Sequence, residues 1–194
     1  MTTGKRIFLA IKIQAGPELL DVVDFLHDEL AREQIRWVGE EQFHITLKFF
    51  GDTPEDKMEL ISAAVEECCM QYEPFSFGLC SPGYFRDREQ LRVIFLQTSG
   101  TETLVAFQKQ TEHLLSGLGI PKEDRVFRPH LTLGRIKSVR DARHFYELMK
   151  QFPQKTVQVV FVSELILFES ILKPSGPEYR VLERFRLKKG RKTR

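Results

Sequence analysis

Two strand-like segments of this chain carry the same short pattern, and this repetition constrains the fold more than any other feature. FHITLKFF (43–50) and HLTLGR (130–135) both contain His-x-Thr-Leu within a run of apolar residues. Side chains alternate between the two faces of a strand, so each copy directs its leucines into a core and its histidine and threonine outward. The repetition therefore predicts two related lobes whose polar strand faces meet at a central cleft.

Strand parity assigns the side chains of the two segments to faces. The predicted polar faces carry His44, Thr46 and Lys48 in the first segment, and Arg128, His130, Thr132 and Gly134 in the second. Phe49 is expected on the apolar face of the first segment. Arg135 would also point with the leucines, unless the strand ends or bulges at Gly134.

Strands and helices alternate along the rest of the chain. Apolar runs rich in branched and aromatic residues predict strands at 6–13, 35–38, 43–50, 75–81, 91–98, 126–136, 157–170 and 179–187. Helical spacing predicts helices at 17–34, 55–71, 104–119 and 138–152, the second of them with Thr53 as its N-cap. This interleaving favours an α/β or α+β class. Because no low-complexity linker divides the chain, residues 1–187 are expected to form one two-lobed domain, followed by a basic, disordered tail at 188–194.

The composition is that of an ordinary soluble globular protein. The formal net charge of +2, with 42% hydrophobic and 29% charged residues, creates no global field that requires a polyanionic partner. No apolar run is long enough to span a bilayer and no targeting segment is apparent, so a cytoplasmic location is expected. The three cysteines, Cys68, Cys69 and Cys80, match neither a disulfide framework nor a metal site and are expected to be reduced thiols.

Two His-Thr pairs that face each other can perform acid–base chemistry on a phosphate. Histidine titrates near neutrality, so one imidazole can accept a proton while a second donates one. Threonine hydroxyls can hold the non-bridging oxygens of a phosphodiester as negative charge develops. A 2′,3′-cyclic ribose phosphate suits such a clamp, because opening its strained ring requires only water and a protonated leaving oxygen. Neither a metal nor another cofactor is required.

Each motif taken alone has a simpler interpretation, because a single histidine in a strand is more often a surface residue or a hydrogen-bonded core residue. A zinc site at His44 and His130 is a further alternative, but no cysteine or carboxylate stands near either of them with ligand spacing. Two matching copies favour a shared phosphate site over both alternatives.

Longer blocks around these motifs resemble the 2H phosphoesterase superfamily, and within it the RNA 2′,3′-cyclic phosphodiesterases, also called 2′-5′ RNA ligases. The resemblance is carried by RIFLAIKI, WVGEEQFHITLKFFGDT, FRPHLTLGRIK and LILFESILKPSGPEYRVLERFRL, and covers nearly the whole chain. It implies an α+β fold of two pseudo-symmetric lobes, with mostly antiparallel sheets lining a central basic cleft and helices outside. It also implies hydrolysis of RNA 2′,3′-cyclic phosphate ends to 2′-phosphates, with reversible 2′-5′ ligation.

The resemblance assigns roles to the motif residues. It implies that His44 is the proton donor and His130 the proton acceptor, with the roles exchanged in the reverse direction. Thr46 and Thr132 would bind the phosphate. Arg135 is favoured as a phosphate or ribose contact because the family often carries an arginine just past the second motif.

Two cations and two aromatic residues complete the candidate site. Lys48 and Arg128 are expected to lie near the phosphate because parity places them on the histidine faces. Phe49 and Phe85 are candidates to stack a base, although core packing is the more common role of such residues. The expected partner is therefore an RNA end, with tRNA fragments among the candidates, and the simplest expected state is a monomer without membrane association.

Two alternatives to this function remain open from the sequence. One is a 2H phosphodiesterase that acts on a small cyclic nucleotide or a 2′-5′ oligonucleotide, which a tight cleft without an extended basic rim would favour. The other is an RNA-binding module with weak turnover, in which the basic tail contributes salt-sensitive phosphate contacts.

Overall fold

The computed structural model of the chain describes residues 4–174 and 176–188. Its strands form two sheets in which every described pair of neighbouring strands is antiparallel. The four-stranded sheet contains β1 (Lys5–Lys12), β3 (His44–Thr53), β8 (Glu164–Lys173) and β9 (Gly176–Arg186), in the order β3-β1-β8-β9. The five-stranded sheet contains β2 (Gln34–Trp37), β4 (Phe75–Asp87), β5 (Gln90–Ser99), β6 (Leu131–Ser138) and β7 (Gln158–Val162), in the order β2-β6-β5-β4-β7.

Helices cover the sheets in pairs. They are α1 (Pro17–Glu29), α2 (Glu55–Cys69), α3 (Glu102–Gly117) and α4 (Ala142–Gln151). Tyr72, just after α2, packs edge-on against Phe107 of α3, and this helix pair lies on the four-stranded sheet. The other pair, α1 and α4, lies on the five-stranded sheet, where Phe145 of α4 packs against Tyr84 of β4. The predicted α+β class with two lobes and outer helices is confirmed.

Each lobe contains elements from both halves of the chain. Strand β2 precedes the first motif but pairs with β6, which contains the second motif. Helix α3 belongs to the second half, yet its Glu112 forms an ion pair with Lys48 of β3. The two lobes are therefore interlaced, and neither half of the chain forms a lobe by itself.

The alternating pattern of β1 shows how the core is divided. Ile7, Leu9 and Ile11 are buried in the main core beneath the helices. Phe8 and Ala10 point to the opposite face and form a second apolar cluster with residues of β8. This second cluster supports the floor of the cleft from the four-stranded sheet.

Several predicted boundaries differ from the structure. The first helix ends at Glu29, five residues before the predicted end at Gln34. Thr53 is the last residue of β3, and its hydroxyl donates to the carbonyl of Gly51 at 3.1 Å, so it does not cap α2. The strand predicted at 126–136 begins only at Leu131, because Pro129 precedes it and its carbonyl accepts from Thr98.

The largest difference concerns the predicted strand at 157–170. It consists of two strands, and the chain passes from the five-stranded sheet to the four-stranded sheet between them, at Ser163. The continuous apolar run concealed this change because both strands bury alternate side chains.

At the end of the domain, the backbone N–H of Lys188 donates to the carbonyl of Tyr72 at 2.9 Å. The remainder of the predicted tail, 189–194, lies outside the described residues.

All three cysteines are free thiols, as predicted, and Cys68 and Cys69 at the end of α2 are fully buried. Burial raises the pKa of the Cys69 thiol to about 12. Among residues 4–174 and 176–188, no helix is both long enough and apolar enough to cross a membrane.

Candidate active site

A cleft of about 710 Å³ lies between the two sheets. Both motif segments line it, together with residues of β2 and of the hairpin formed by β8 and β9. The residues that the motif segments contribute are His44, Thr46, Phe49, His130, Thr132 and Arg135. The structure therefore brings together both predicted histidines, both predicted threonines and one of the predicted cations.

The two imidazoles are held in the same way. Nδ1 of His44 lies 2.6 Å from the carbonyl oxygen of Gln42, and Nδ1 of His130 lies 2.7 Å from that of Arg128. A carbonyl can only accept a hydrogen bond, so Nδ1 is the donor in both cases. The lone pair of each neutral imidazole is therefore on Nε2, the nitrogen that remains for a ligand in the cleft.

Aromatic side chains fix the orientation of each ring. The ring of His44 contacts Phe8 at 5.0 Å and Tyr179 at 5.2 Å between centroids. The ring of His130 contacts the edges of Phe85 and Phe95 at 4.9 and 5.3 Å. Each imidazole therefore has one hydrogen-bonded nitrogen and two apolar neighbours, which restricts its rotation.

This environment lowers the pKa of both histidines. Burial is the main cause for each, since removal from water disfavours the charged imidazolium. The positive charge of Arg135 lowers the pKa of both further, and Lys12 adds to this effect at His44. The hydrogen bonds to backbone carbonyls act in the opposite direction. In the unliganded protein, both imidazoles are therefore mostly neutral at pH 7.

A β-bulge after each motif decides which later side chains face the cleft. In the pairing of β1 with β3, Ala10 lies opposite Thr46 and Leu9 lies opposite Lys48, so Leu47 is an extra residue. In the pairing of β5 with β6, the extra residue is Leu133. An extra residue shifts the alternation by one, so the residue five positions after each histidine turns towards the cleft.

The expected position of Lys48 is wrong for this reason. The bulge turns its side chain away from the cleft, where it is only 3% exposed. Its Nζ donates to Oε1 of Glu112 at 2.8 Å and to the carbonyl of Pro121 at 3.0 Å. Lys48 therefore joins β3 to α3 and to the loop that leads to the second motif.

The same register shift explains two other outcomes. Phe49, expected in the core, lines the cleft and is 52% exposed. Arg135 reaches the cleft in spite of its parity, because the bulge precedes it.

The side chain of Arg128 is exposed and does not line the cleft, and it is the backbone carbonyl of Arg128 that contacts His130. Phe85 stacks on Phe95 at 4.1 Å.

Sequence reasoning missed several residues of the cleft wall. Tyr179 belongs to the last block that carries the family resemblance, where the sequence assigned it no role, although its ring lies at right angles to that of His44. Arg36 and Trp37 of β2 also line the cleft, and the short IRWV strand gave no indication of its neighbours. A hydrogen bond of 2.8 Å from Gln42 to the carbonyl of Pro177 connects the start of the first motif to the hairpin.

This arrangement defines a class of site. Two imidazoles, two hydroxyls and a guanidinium face one cleft, which is the set of groups that acid–base chemistry on a phosphodiester requires. Within the described part of the chain, no group of three or more His, Cys, Asp or Glu residues is placed to hold a metal ion.

Comparisons with known proteins agree with this class. The family model of the 2′-5′ RNA ligase superfamily matches residues 20–169. The chain is 35% identical over 184 residues to an RNA 2′,3′-cyclic phosphodiesterase of Methanothermobacter thermautotrophicus, covering 94% of this chain and 98% of the relative. It is 33% identical over 149 residues to the protein of the same name from Thermotoga maritima, covering 75% and 76%. The chain belongs to the 2′-5′ RNA ligase superfamily, the 2H phosphoesterases.

Solved structures share the fold. The crystal structure of TT0787 of Thermus thermophilus has a TM-score of 0.77 and 26% identity, with 95% of this chain and 98% of that chain covered. E. coli LigT complexed with 3′-AMP has a TM-score of 0.75 at 21% identity, with the same coverage. The two-lobed architecture is therefore that of the family.

Proposed function

We propose that this protein hydrolyses the 2′,3′-cyclic phosphate at the end of an RNA strand to a 2′-phosphate, using His44 as acid and His130 as base. The observation that carries the proposal is the pair of imidazoles in one cleft, each with Nδ1 bound to a backbone carbonyl. The names of the relatives in M. thermautotrophicus and T. maritima support RNA as the substrate class.

Each step transfers one proton. Nε2 of neutral His130 accepts a proton from water while the water oxygen attacks the phosphorus. The bond between phosphorus and the 3′ oxygen breaks, and protonated His44 donates its Nε2 proton to that oxygen. The product is a 2′-phosphate with a free 3′-hydroxyl, and exchange with solvent resets both imidazoles.

Neutral and cationic donors stabilise the transition state. The hydroxyls of Thr46 and Thr132 donate to the non-bridging oxygens as negative charge develops there. The guanidinium of Arg135 adds a positive charge to the same cleft. These interactions with the phosphate use no metal, and the 2′-phosphate product follows from which oxygen His44 protonates.

The lowered pKa of both histidines fits this sequence of events. In the free protein His130 is neutral, as a base must be. His44 is also mostly neutral, but the negative phosphate raises its pKa on binding, since an adjacent anion favours the imidazolium. The substrate therefore helps to protonate its own acid. We expect a bell-shaped dependence of kcat/KM on pH. Both apparent pKa values of this profile should lie below the pKa of an unperturbed histidine.

The same site supports ligation. When the 5′-hydroxyl of a second RNA strand replaces water, the identical proton transfers produce a 2′-5′ linkage. Cleavage of that linkage is the microscopic reverse, in which His130 becomes the acid and His44 the base. The balance between water and RNA as nucleophile then sets the balance of hydrolysis and ligation.

A short RNA with a 2′,3′-cyclic phosphate end tests the proposal directly. The protein is incubated with this RNA in excess EDTA, and the product is identified as a 2′- or 3′-phosphate. We expect complete conversion to the 2′-phosphate, with a rate reduced roughly 10²–10⁴-fold in both His44→Ala and His130→Ala. His113→Ala, on the exposed face of α3, is the matched control and should retain full activity.

Three results would contradict the proposal. Loss of activity in EDTA would show that a metal takes part, and a 3′-phosphate product would place the acid on the other oxygen. Activity that survives either substitution would place the chemistry elsewhere.

A further inference from the structure

The cleft wall carries a second arginine beside Arg135. Arg36 of β2 lies directly opposite Arg135 of β6 in the register of the two strands, and both residues line the cleft. Side chains at directly opposite positions lie on the same face of a sheet, only about 5 Å apart at Cβ. Two like charges in this arrangement repel each other, so an anionic ligand bound between them is favoured.

The charges of the two arginines act on different groups of the cleft. The charge of Arg135 acts on His44, on His130 and on the hydroxyl of Tyr179, whereas the charge of Arg36 acts on Tyr179. Because Arg36 also lies against Gly176 of β9, it belongs to the side of the cleft where Tyr179 and the hairpin form the wall.

The hairpin leaves room for the Arg36 side chain. Its guanidinium lies against Gly176 of β9, whose φ of 135° disfavours any residue with a side chain. Lys173 and Glu178, which also line the cleft, form an ion pair with each other. Arg36 therefore spans the cleft wall from the five-stranded sheet to the hairpin.

We propose that Arg36 binds the phosphate on the 5′ oxygen of the terminal nucleoside, one nucleotide away from the cyclic phosphate. The proposal rests on the function proposed above and specifies its substrate. In an RNA strand this phosphate is the last internucleotide diester, and a guanidinium can bind two of its oxygens at once. The second arginine then makes the cleft prefer a strand to a nucleoside that carries the cyclic phosphate alone.

Four substrates and three variants test this inference. The substrates are adenosine 2′,3′-cyclic phosphate, the same nucleotide with a 5′-phosphate, the dinucleotide with a cyclic phosphate end, and that dinucleotide with an uncharged methylphosphonate linkage. The variants are Arg36→Gln, Arg36→Lys and, as a matched control on another strand of the same sheet, Arg92→Gln. Thermal unfolding of each variant confirms that the fold is retained.

The quantity to compare is the preference for the strand, which is the ratio of kcat/KM for the dinucleotide to kcat/KM for adenosine 2′,3′-cyclic phosphate. We expect Arg36→Gln to reduce this preference roughly tenfold, because turnover of the dinucleotide falls much more than turnover of adenosine 2′,3′-cyclic phosphate. The methylphosphonate should reduce the preference of the wild type equally and should have no further effect in Arg36→Gln. Arg36→Lys should retain part of the preference, and Arg92→Gln all of it.

Arg36 could bind either a terminal 5′-phosphate monoester or an internucleotide phosphodiester. Turnover of the 5′-phosphorylated nucleotide distinguishes these two ligands. If the protein prefers the 5′-phosphorylated nucleotide to adenosine 2′,3′-cyclic phosphate, and this preference is lost in Arg36→Gln, the site binds a terminal monoester as well as a diester. A preference for the dinucleotide alone shows selection of a strand.

The inference is overturned if Arg36→Gln slows all four substrates equally, because Arg36 would then only support the cleft wall. It is also overturned if the variant still distinguishes the charged from the uncharged linkage. A wild type that hydrolyses none of the four substrates would instead overturn the proposed function, and the inference with it.

Discussion

The two motif segments share a backbone plan. Each histidine donates from Nδ1 to the carbonyl two residues before it, and each threonine follows two residues later. Each strand then bulges at the next leucine, so that the residue five positions after the histidine faces the cleft. This shared plan gives the two imidazoles equivalent surroundings, as the proposed exchange of acid and base roles requires.

The segments differ after the bulge. The buried position next to it is Lys48 in one segment and Gly134 in the other, and the following position in the cleft is Phe49 in one and Arg135 in the other. One side of the cleft therefore offers an aromatic face, and the other offers positive charge. In the proposed function, the common part of the two segments provides the acid–base chemistry, and the part that differs orients the substrate.

The largest expected effect separates the two histidines. With 3′-deoxyadenosine 2′-(4-nitrophenyl phosphate), the departing nitrophenolate needs no proton, so a general acid contributes little. We expect His44→Ala to lose roughly 10²–10⁴-fold on a cyclic phosphate and far less on this substrate. His130→Ala should lose activity on both. The rates of nitrophenolate and 2′-phosphate release measure the difference.

The opposite pattern would exchange the assigned roles of the two histidines. Equal losses of both variants on both substrates would mean that the imidazoles do not divide the work.

The next effect concerns stability and tests the position beside the bulge. Lys48 and Glu112 are 3% and 12% exposed, so Lys48→Met leaves a buried carboxylate without its cation. We expect a loss of about 3–5 kcal/mol in the free energy of unfolding, measured by denaturant titration. The double variant Lys48→Met/Glu112→Leu should recover most of this loss, because neither charge then remains buried alone.

The equivalent change in the other segment should act by a different mechanism. A Cβ at Gly134 would lie 2.8 Å from Cγ2 of Ile35 and 3.2 Å from Cε3 of Trp37. Gly134→Ala should therefore reduce the free energy of unfolding by about 1–3 kcal/mol through overpacking.

For the first segment, an unchanged free energy of unfolding in Lys48→Met would refute the importance of the buried ion pair between Lys48 and Glu112.

Arg135 should affect the dependence of activity on pH. Its positive charge lowers the pKa of both histidines, so Arg135→Gln raises both values. Since the active form has neutral His130 and protonated His44, both limbs of the kcat/KM profile should move to higher pH. The maximal rate should also fall roughly ten- to a hundredfold through the lost phosphate contact. Arg135→Lys keeps the charge and should leave the limbs nearly in place; movement to lower pH in Arg135→Gln would contradict this electrostatic account.

Phe49 should have the smallest effect. Its ring is exposed in the cleft and packs against Phe8 at 5.4 Å, which leaves one face for a base. We expect Phe49→Ala to raise KM for nucleotide substrates roughly tenfold with little change in kcat, as for the loss of one stacking contact. Phe49→Tyr, which keeps the ring, is the control. A fall in kcat with unchanged KM would show instead that Phe49 supports His44 through Phe8.

The sequence was a good guide to the centre of the site and a poor one to its edges. The spacing of His44 and Thr46, and of His130 and Thr132, placed all four side chains correctly, because only one or two steps of strand alternation were needed. At Lys48 and Phe49 the same rule was wrong, because an unseen bulge lies between them and the motif. Arg135 was placed correctly only because the family resemblance outweighed parity.

By itself, the sequence limited the fold to an α/β or α+β class and identified the free cysteines and the two His-x-Thr segments, because these depend on local periodicity and residue type. The family resemblance then selected the α+β class. The tertiary structure decided the interlacing of the lobes, the division of 157–170 between two sheets and the second arginine of the cleft. It also decided the position of Lys48, whose partner Glu112 lies 64 residues away. Bulges and cross-strand neighbours arise from contacts between distant segments, and no local pattern in the chain encodes them.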